Sequence, residues 1–425
     1  MLNRINPPAF HPIENINIIN PDSIELTNGV KLFVFSAGEE DLVRMQWVFE
    51  NADFQPTKPI INSALSAMLL EGTSKYSSAQ IAEKIDFYGA YLFPEYSYDH
   101  TSLNLITLTK YLDKLLPFII EILNDAIFPQ QEIDTYKRNS KQALKISLEK
   151  NDYIARRQFN NALFGKSSYG YIQEANDFDQ LNQDDLQSLF KEQIIPANCT
   201  LFVSGNISST TLNYINNCIE DQWINKSVKS KVTIPVFKTL PPQQILIEKE
   251  KALQSAIRIG QLSIQRSHAD FPTFQVLNAT LGGYFGSRLM MNIREDKGYT
   301  YGIGSGLASM KYAGFFTISS EVGTAVCADT LKEIEFEINR LKTEKISEEE
   351  LLLVKNYLLG SMLGSLENVF SHTDKFKQAY FSGLTLDYYD YYTQQVKDVT
   401  AEDLLVLANK YLDFDQMIRV IVGKI

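Results

Sequence analysis

The chain has 425 residues, 40 Lys and Arg against 51 Asp and Glu for a formal net charge of −11, and is 44% hydrophobic and 21% charged. Length favours two domains or more, and the composition is that of a globular protein; a disordered chain, a collagen-like fibre and a disulfide scaffold are excluded. Three scattered cysteines (Cys199, Cys218, Cys327) without a C-x-x-C and four histidines (His11, His100, His268, His372) leave little material for a zinc or iron–sulfur centre.

Residues 1–15, MLNRINPPAFHPIEN, have no apolar core of the length a secretory signal needs. Strands are predicted at 30–35 and 42–49, where β-branched and aromatic residues alternate between turn residues. A helix over 59–70 places Ile61, Leu65, Met68 and Leu69 on one side. Ser77 with Gln80 forms a capping box that opens a second helix through Ile81 and Ile85, stopped by Gly89. Strands at 90–94 and 101–108 lead to a helix over 111–125 with Leu112, Leu116, Ile120 and Leu123 aligned, two longer helical patterns, and a strand at 200–204 ending in Gly205. The same order returns with strands at 244–248 and 255–261, a helix over 271–281, strands at 301–307 and 314–322, further helices and a last strand at 418–422. The stretch nearest a membrane span, 115–123, is broken by Pro117 and Glu121 and falls short of the roughly 18–20 apolar residues required. With an acidic balance and no basic patch, nucleic acid is not expected as a partner. The reading is a soluble, cytoplasmic protein without a membrane span.

A shift of 218 residues superposes the later part of the first half on the second without gaps. It carries Leu116, Ile120 and Leu123 onto Ile334, Ile338 and Leu341, Ile133 onto Leu351, Lys137 onto Lys355, and Asp185-Leu186 onto Asp403-Leu404. Val203-Ser204-Gly205 falls on Ile421-Val422-Gly423. Two homologous α+β domains follow, 1–224 and 243–425, each a mainly antiparallel sheet with helices on one face. The charged, proline-bearing stretch 225–242 reads as an exposed connector.

Residues 62–99, with Gly72-Thr73, Ser77, Ile81, Ile85, Gly89 and Asp99, followed by Thr101, resemble the first-helix region of the pitrilysin/insulinase-type metallopeptidases, which include the mitochondrial processing peptidases. The resemblance covers nearly the whole chain and implies the processing-peptidase-like metallohydrolase fold. In that family a helix carries H-x-x-E-H: two histidines one turn apart share a face and hold zinc, and the glutamate acts as general base. Counted back from Gly72-Thr73, those positions are Ser63, Ser66 and Ala67. The family's third ligand, a glutamate on a later helix, lands near Gln142-Ala143. No metal ligand is expected in this chain.

Nothing displaced replaces that site. His11-Pro12-Ile13-Glu14 lacks a second histidine, His100 reads as a partly exposed side chain, His268 as a loop residue, and His372 as a surface pair with Asp374. No G-x-S-x-G elbow occurs. Gly302-Ile303-Gly304-Ser305-Gly306 is not a phosphate loop and reads as strand positions where another backbone comes close.

Residues 281–305, LGGYFGSRLMMNIREDKGYTYGIGS, resemble the family's C-terminal-domain signature. The resemblance makes Arg294 and Tyr301, seven apart, the substrate-binding pair, suited to the task by a planar donor fork and a stiff ring with a hydroxyl. Arg288 reads as a structural arginine, and Gly282 and Gly283 as helix-ending residues at positive φ. In some bacterial pairs of this family one chain carries zinc and the other the arginine–tyrosine pair. The resemblance therefore implies a noncatalytic, substrate-binding subunit of a heterodimeric zinc peptidase acting on peptides or unfolded polypeptides. A homologous partner would supply zinc and base. The alternative is a structural or assembly protein of the same fold, self-associating when alone.

Overall fold

The computed structural model describes residues 13, 15–223, 228, 229 and 232–425. His11 and the pattern around it lie outside the described residues. In the first half the elements are β1 (Asp22–Glu25), β2 (Lys31–Ser36), β3 (Leu42–Glu50), α1 (Ile61–Met68), α2 (Ser78–Phe87), β4 (Tyr91–Tyr96), β5 (His100–Leu108), α3 (Leu112–Asp125), α4 (Gln130–Ser147), α5 (Asn151–Phe164), α6 (Ala175–Asp179), α7 (Gln183–Gln193), β6 (Cys199–Gly205) and α8 (Ser209–Gln222). The second half continues with β7 (Gln244–Glu248), β8 (Gln254–Ser263), α9 (Phe271–Asn278), β9 (Thr300–Ser309), β10 (Gly314–Gly323), α10 (Cys327–Thr343), α11 (Glu348–Gly364), α12 (Val369–Phe381), α13 (Asp387–Asp398), α14 (Ala401–Tyr411) and β11 (Ile418–Gly423). The Ser77–Gln80 capping box opens α2 as predicted, and Gly89 follows its end at φ +58°.

The two sheets repeat one topology. The first runs β1-β2-β6-β3-β5-β4 and the second β7-β11-β8-β10-β9. In each, one parallel pair (β2 with β6, β7 with β11) is embedded among antiparallel neighbours. The 218-residue offset holds at the level of elements: α7 falls on α14 end to end, and α5 starts where α12 starts. It also holds for single contacts. Lys137 Nζ donates to the Asp179 carbonyl at 3.4 Å, and Lys355 Nζ to the Lys397 carbonyl at 2.8 Å. Gly205 and Gly423 end β6 and β11 at φ +138° and +139°, a conformation that L side chains rarely adopt.

Alternation along the strands gives each sheet two apolar faces. Val43, Met45, Trp47 and Phe49 of β3 join the main core beneath α1, α3 and α7, while Phe33, Phe35, Val48 and Phe202 face the other way. That second face is covered by α12, a helix from the other half, through Phe376, Tyr380 and Phe381. The second sheet mirrors this: Ile257, Ile259, Phe316 and Ile421 face its own helices, and Ala256, Val420 and Val422 are covered by Ala155, Phe159 and Ala162 of α5. Gly260 makes the fit possible, since an added Cβ would come 2.9 Å from the Phe159 ring. The expectation of helices on one face of each sheet is therefore extended: the second face carries a helix exchanged from the opposite half. Charge pairs accompany the exchange. Arg44 of β3 binds Asp374 of α12 through two hydrogen bonds of 3.0 and 3.1 Å, and Arg258 of β8 binds Asp152 of α5 at 2.5 Å.

One local expectation is corrected. The helix over 271–281 ends as α9 and passes into a π-helical turn, Ala279–Gly283, in which Gly282 and Gly283 do not take positive φ. Gly282 is needed for closeness instead, because an added Cβ would lie 2.7 Å from the Ser305 nitrogen. The connector exposes Ile234 and Val236, but Phe237 stacks on Tyr169 at 5.3 Å and the Leu240 N–H donates to the Ala162 carbonyl at 2.8 Å, so its later part is fastened to the first half.

Candidate functional site

The helix α1 buries Ala64, Leu65 and Met68 and presents Ser63 and Ala67 one turn apart on its other side. Ser63 Oγ donates to the Ile60 carbonyl at 2.9 Å, Ser66 is buried, and Ala67 is exposed. The side chain that α4 brings to Ser63 is Tyr136, whose phenol is pushed up by burial and opposed by hydrogen bonds with Ser140 and Ser63. Gln142 and Ala143 sit on the exposed side of α4. A hydroxyl already bonded to backbone, a buried serine and a methyl group do not fit zinc. Among the described residues no group of three His, Cys, Asp or Glu is placed to hold a metal ion.

Beside Ser63 lies a cavity of about 340 Å³, lined by Tyr96, Tyr98, Asp99 and Tyr171 and closed from the second half by Lys311 and Tyr312 at the tip of the β9–β10 hairpin. The tip is pinned there. Asp99 accepts from the Lys311 N–H at 3.1 Å and from the Tyr169 hydroxyl at 2.5 Å, and Glu50 pairs with Lys311 and with Lys229. Burial pushes the phenols of Tyr96 and Tyr169 far above their ordinary range. The lining phenol of Tyr96 is thus neutral, and the lining carboxylates Glu50 and Asp99 already have partners.

Arg294 and Tyr301 meet at the other end of the hairpin. Met290 and Ile293 bury the inner side of a π-helical turn, Met290–Asp296, and Gly298 at φ +67° turns the chain into β9. The guanidinium carbon of Arg294 stands 4.6 Å from the Phe285 ring centre and 5.4 Å from that of Tyr301. Its carboxylate contact, Glu295, is distant at 3.5 Å. The guanidinium lies near both rings and its side chain is 27% exposed, so its planar fork can meet a carbonyl oxygen at the surface. Tyr301 is 91% exposed. The segment behind the pair is rigidly held: Arg288 makes two 2.8 Å hydrogen bonds to Glu350 of α11, and Asn292 donates to Glu333 and Glu337 of α10 at 3.1 and 2.7 Å. From Tyr301 to the end of β9 are eight residue steps, about 26 Å of strand. The pair and the cavity at Ser63 therefore lie at opposite ends of one hairpin.

The histidines do other work. His100 packs against Phe381 of α12, the ring centres 4.2 Å apart and the planes tilted by 44°. His268 Nδ1 accepts from the Asp270 N–H at 3.0 Å. His372 does not pair with Asp374, as the sequence suggested; its Nδ1 accepts from the Ile19 N–H at 3.2 Å, and Asp374 is taken by Arg44. Of the three strand glycines only Gly304 meets a neighbouring backbone, with the Gly282 oxygen 3.3 Å from an added Cβ, whereas Gly302 and Gly306 have open space. Sequence reasoning missed Phe285 and Tyr136. Phe285 lay inside the quoted signature, and its proximity to the pair could have been suspected; Tyr136 had no signal, because its role depends on which side of α4 faces α1.

Residues 64–173 match the profile "Insulinase (Peptidase family M16)" and residues 180–358 the profile "Peptidase M16 inactive domain". The chain is similar to an uncharacterized zinc protease, YmxG, of Bacillus subtilis (26% identity, 72% of this chain and 75% of the relative). It is also similar to the non-peptidase homolog YmxG of Helicobacter pylori (20% identity, 84% and 82%). Its fold matches the crystal structure of a peptidase M16 inactive domain from Pseudomonas fluorescens with a TM-score of 0.86 at 21% identity, covering 96% of this chain and 98% of that one. No helix among the described residues is long and apolar enough to cross a membrane.

Proposed function

We propose, from the premise that this chain belongs to the M16 family of insulinase-type peptidases as a member without the zinc-binding helix motif, that it is the noncatalytic, substrate-binding subunit of a two-chain peptidase. Arg294 and Tyr301 bind the backbone of a peptide or unfolded polypeptide, and a homologous partner supplies zinc and the general base. The observation that carries this reading is the Arg294–Tyr301 pair itself, an exposed ring beside a half-buried guanidinium, braced from behind and at the far end of the hairpin from Ser63. That separation favours work on a site in another chain over a site of its own. The pair acts by orientation: a carbonyl held by the guanidinium fork and a backbone steadied by the tyrosine hydroxyl reach the reacting position without a further search. Three free, buried cysteines suit a reducing compartment, and the reading places the protein in the cytoplasm.

Mixing tests it. The purified chain alone should bind no stoichiometric zinc and cleave no unfolded casein, and activity should appear with a zinc-motif-bearing homologue of the same source. Arg294→Ala or Tyr301→Phe should then lower kcat/KM by at least about tenfold without dissociating the pair of chains. Full activity in both variants would sink the substrate role. A stable homodimer that no zinc-bearing homologue joins would favour a structural protein instead.

A further inference from the structure

We propose that the groove between α4 and α5 is a docking site for an acidic, aromatic-bearing helical segment of a partner polypeptide. The groove encloses about 790 Å³ and is floored by Leu144, Ile154 and Ile172. Along one rim Arg138, Lys141 and Lys145 follow each other at helical spacing on α4, and Arg157 of α5 faces them. Against these four cations the lining carries one carboxylate, Glu174, so the groove is positive in a chain whose net charge is −11. Lys141 pairs with Asp179 and Arg157 donates to the Gln173 carbonyl, but among the described residues Arg138 and Lys145 have no carboxylate partner.

The internal repeat shows why the groove is open. At the 218-residue offset, Gly170 and Glu174 stand where the second half has Tyr388 and Tyr392. There the chain forms a full helix, α13, whose Tyr388 and Tyr389 are buried in the core against α11 and α12, with the Tyr389 hydroxyl donating to the Lys375 carbonyl at 2.7 Å. In the first half the corresponding stretch is irregular up to the short α6; the rings of Tyr388 and Tyr392 have no counterpart, and Tyr171, the counterpart of Tyr389, turns to Phe54 at 5.5 Å and donates its hydroxyl to Asp177. The α4 cations are also peculiar to the first half, because the counterparts of Arg138, Lys141 and Lys145 are Asn356, Leu359 and Leu363, whereas Arg157 of α5 corresponds to Lys375. The beginning of α13, Asp387-Tyr-Tyr-Asp390-Tyr-Tyr, turns Tyr388 and Tyr389 inward and Asp387 and Asp390 outward. A helix of that chemistry supplies rings for the apolar floor and carboxylates for the cationic rim, which is helix-in-groove recognition with charge complementarity.

The probe is a fluorescein-labelled peptide of residues 386–397, LDYYDYYTQQVK, titrated into the full-length protein. Saturable binding in the micromolar range is expected, weakened about tenfold or more by Arg138→Glu with Lys145→Glu and by Gln142→Trp, which fills the groove, with an unchanged melting curve. A peptide with both aspartates changed to asparagine should bind more weakly and with less salt dependence. The proposal is overturned by absent saturation, by affinity unaffected in these variants, or by displacement with laurate but not with unlabelled peptide. The readout needs no peptidase activity, so it stands or falls apart from the role given to Arg294 and Tyr301.

Discussion

His100 sits at the seam between the halves, against Phe381 of the exchanged helix α12. Its imidazole is pulled down to about 4, chiefly by burial, with Asp99 opposing and Lys229 and Lys377 adding repulsion. Below about pH 6.5 the unfolded chain takes up a proton that the folded chain refuses, so stability falls as pH drops from 6.5 towards 4. Denaturant titrations should show a loss of roughly 1–2 kcal/mol between pH 7 and pH 5, and His100→Asn should flatten most of it. An unchanged pH slope in that variant would assign the effect elsewhere. The same scale decides the degenerate helix. Ser63, Ser66 and Ala67 were legible as a lost zinc motif because residue type and spacing alone exclude the chemistry. Tyr136, which approaches Ser63, was not legible, since a single tyrosine on a polar helix carries no periodic signal.

At the scale of elements, the repeat makes paired predictions. Gly205 and Gly423 occupy equivalent strand ends with nearly identical φ, yet their surroundings differ. A Cβ on Gly205 would lie 2.1 Å from the Leu42 carbonyl oxygen, which the sheet fixes, whereas on Gly423 the nearest atom, at 2.5 Å, is the Ser255 hydroxyl. Both alanine variants should lose stability through the strained φ, about 1–2 kcal/mol, and Gly205→Ala should lose more. Melting temperatures of the two variants check the order. Capping gives a smaller companion: Ser77→Ala removes one side of the box that opens α2 and should destabilise by about 0.5–2 kcal/mol, read as an earlier denaturation midpoint. Most elements were legible because apolar period and cap residues are local properties. The four-residue β1 was not, since DSIE has no alternation to read.

For the whole molecule, the exchange of α5 and α12 ties the halves into one folding unit. A separately produced first half would bare Phe33, Phe35, Val48 and Phe202, each carrying about 1.5–3 kcal/mol of burial. Residues 1–224 alone should therefore bind a hydrophobic dye and aggregate, and co-expression with residues 225–425 should restore a soluble complex. A monomeric first half with a cooperative melt would contradict the exchange.

The sequence by itself determined most strands and helices and the repeat at 218 residues, and it suggested the empty positions Ser63, Ser66 and Ala67 and the Arg294–Tyr301 motif, because periodicity, spacing and residue type are properties of a line of residues. Only the tertiary structure decided which sheet each repeated helix covers, that Phe285 completes the stack on Arg294, and that the pair and Ser63 stand at opposite ends of a hairpin. An amphipathic helix specifies that one face must be buried; which apolar surface buries it is settled by the connections and shapes of the whole chain.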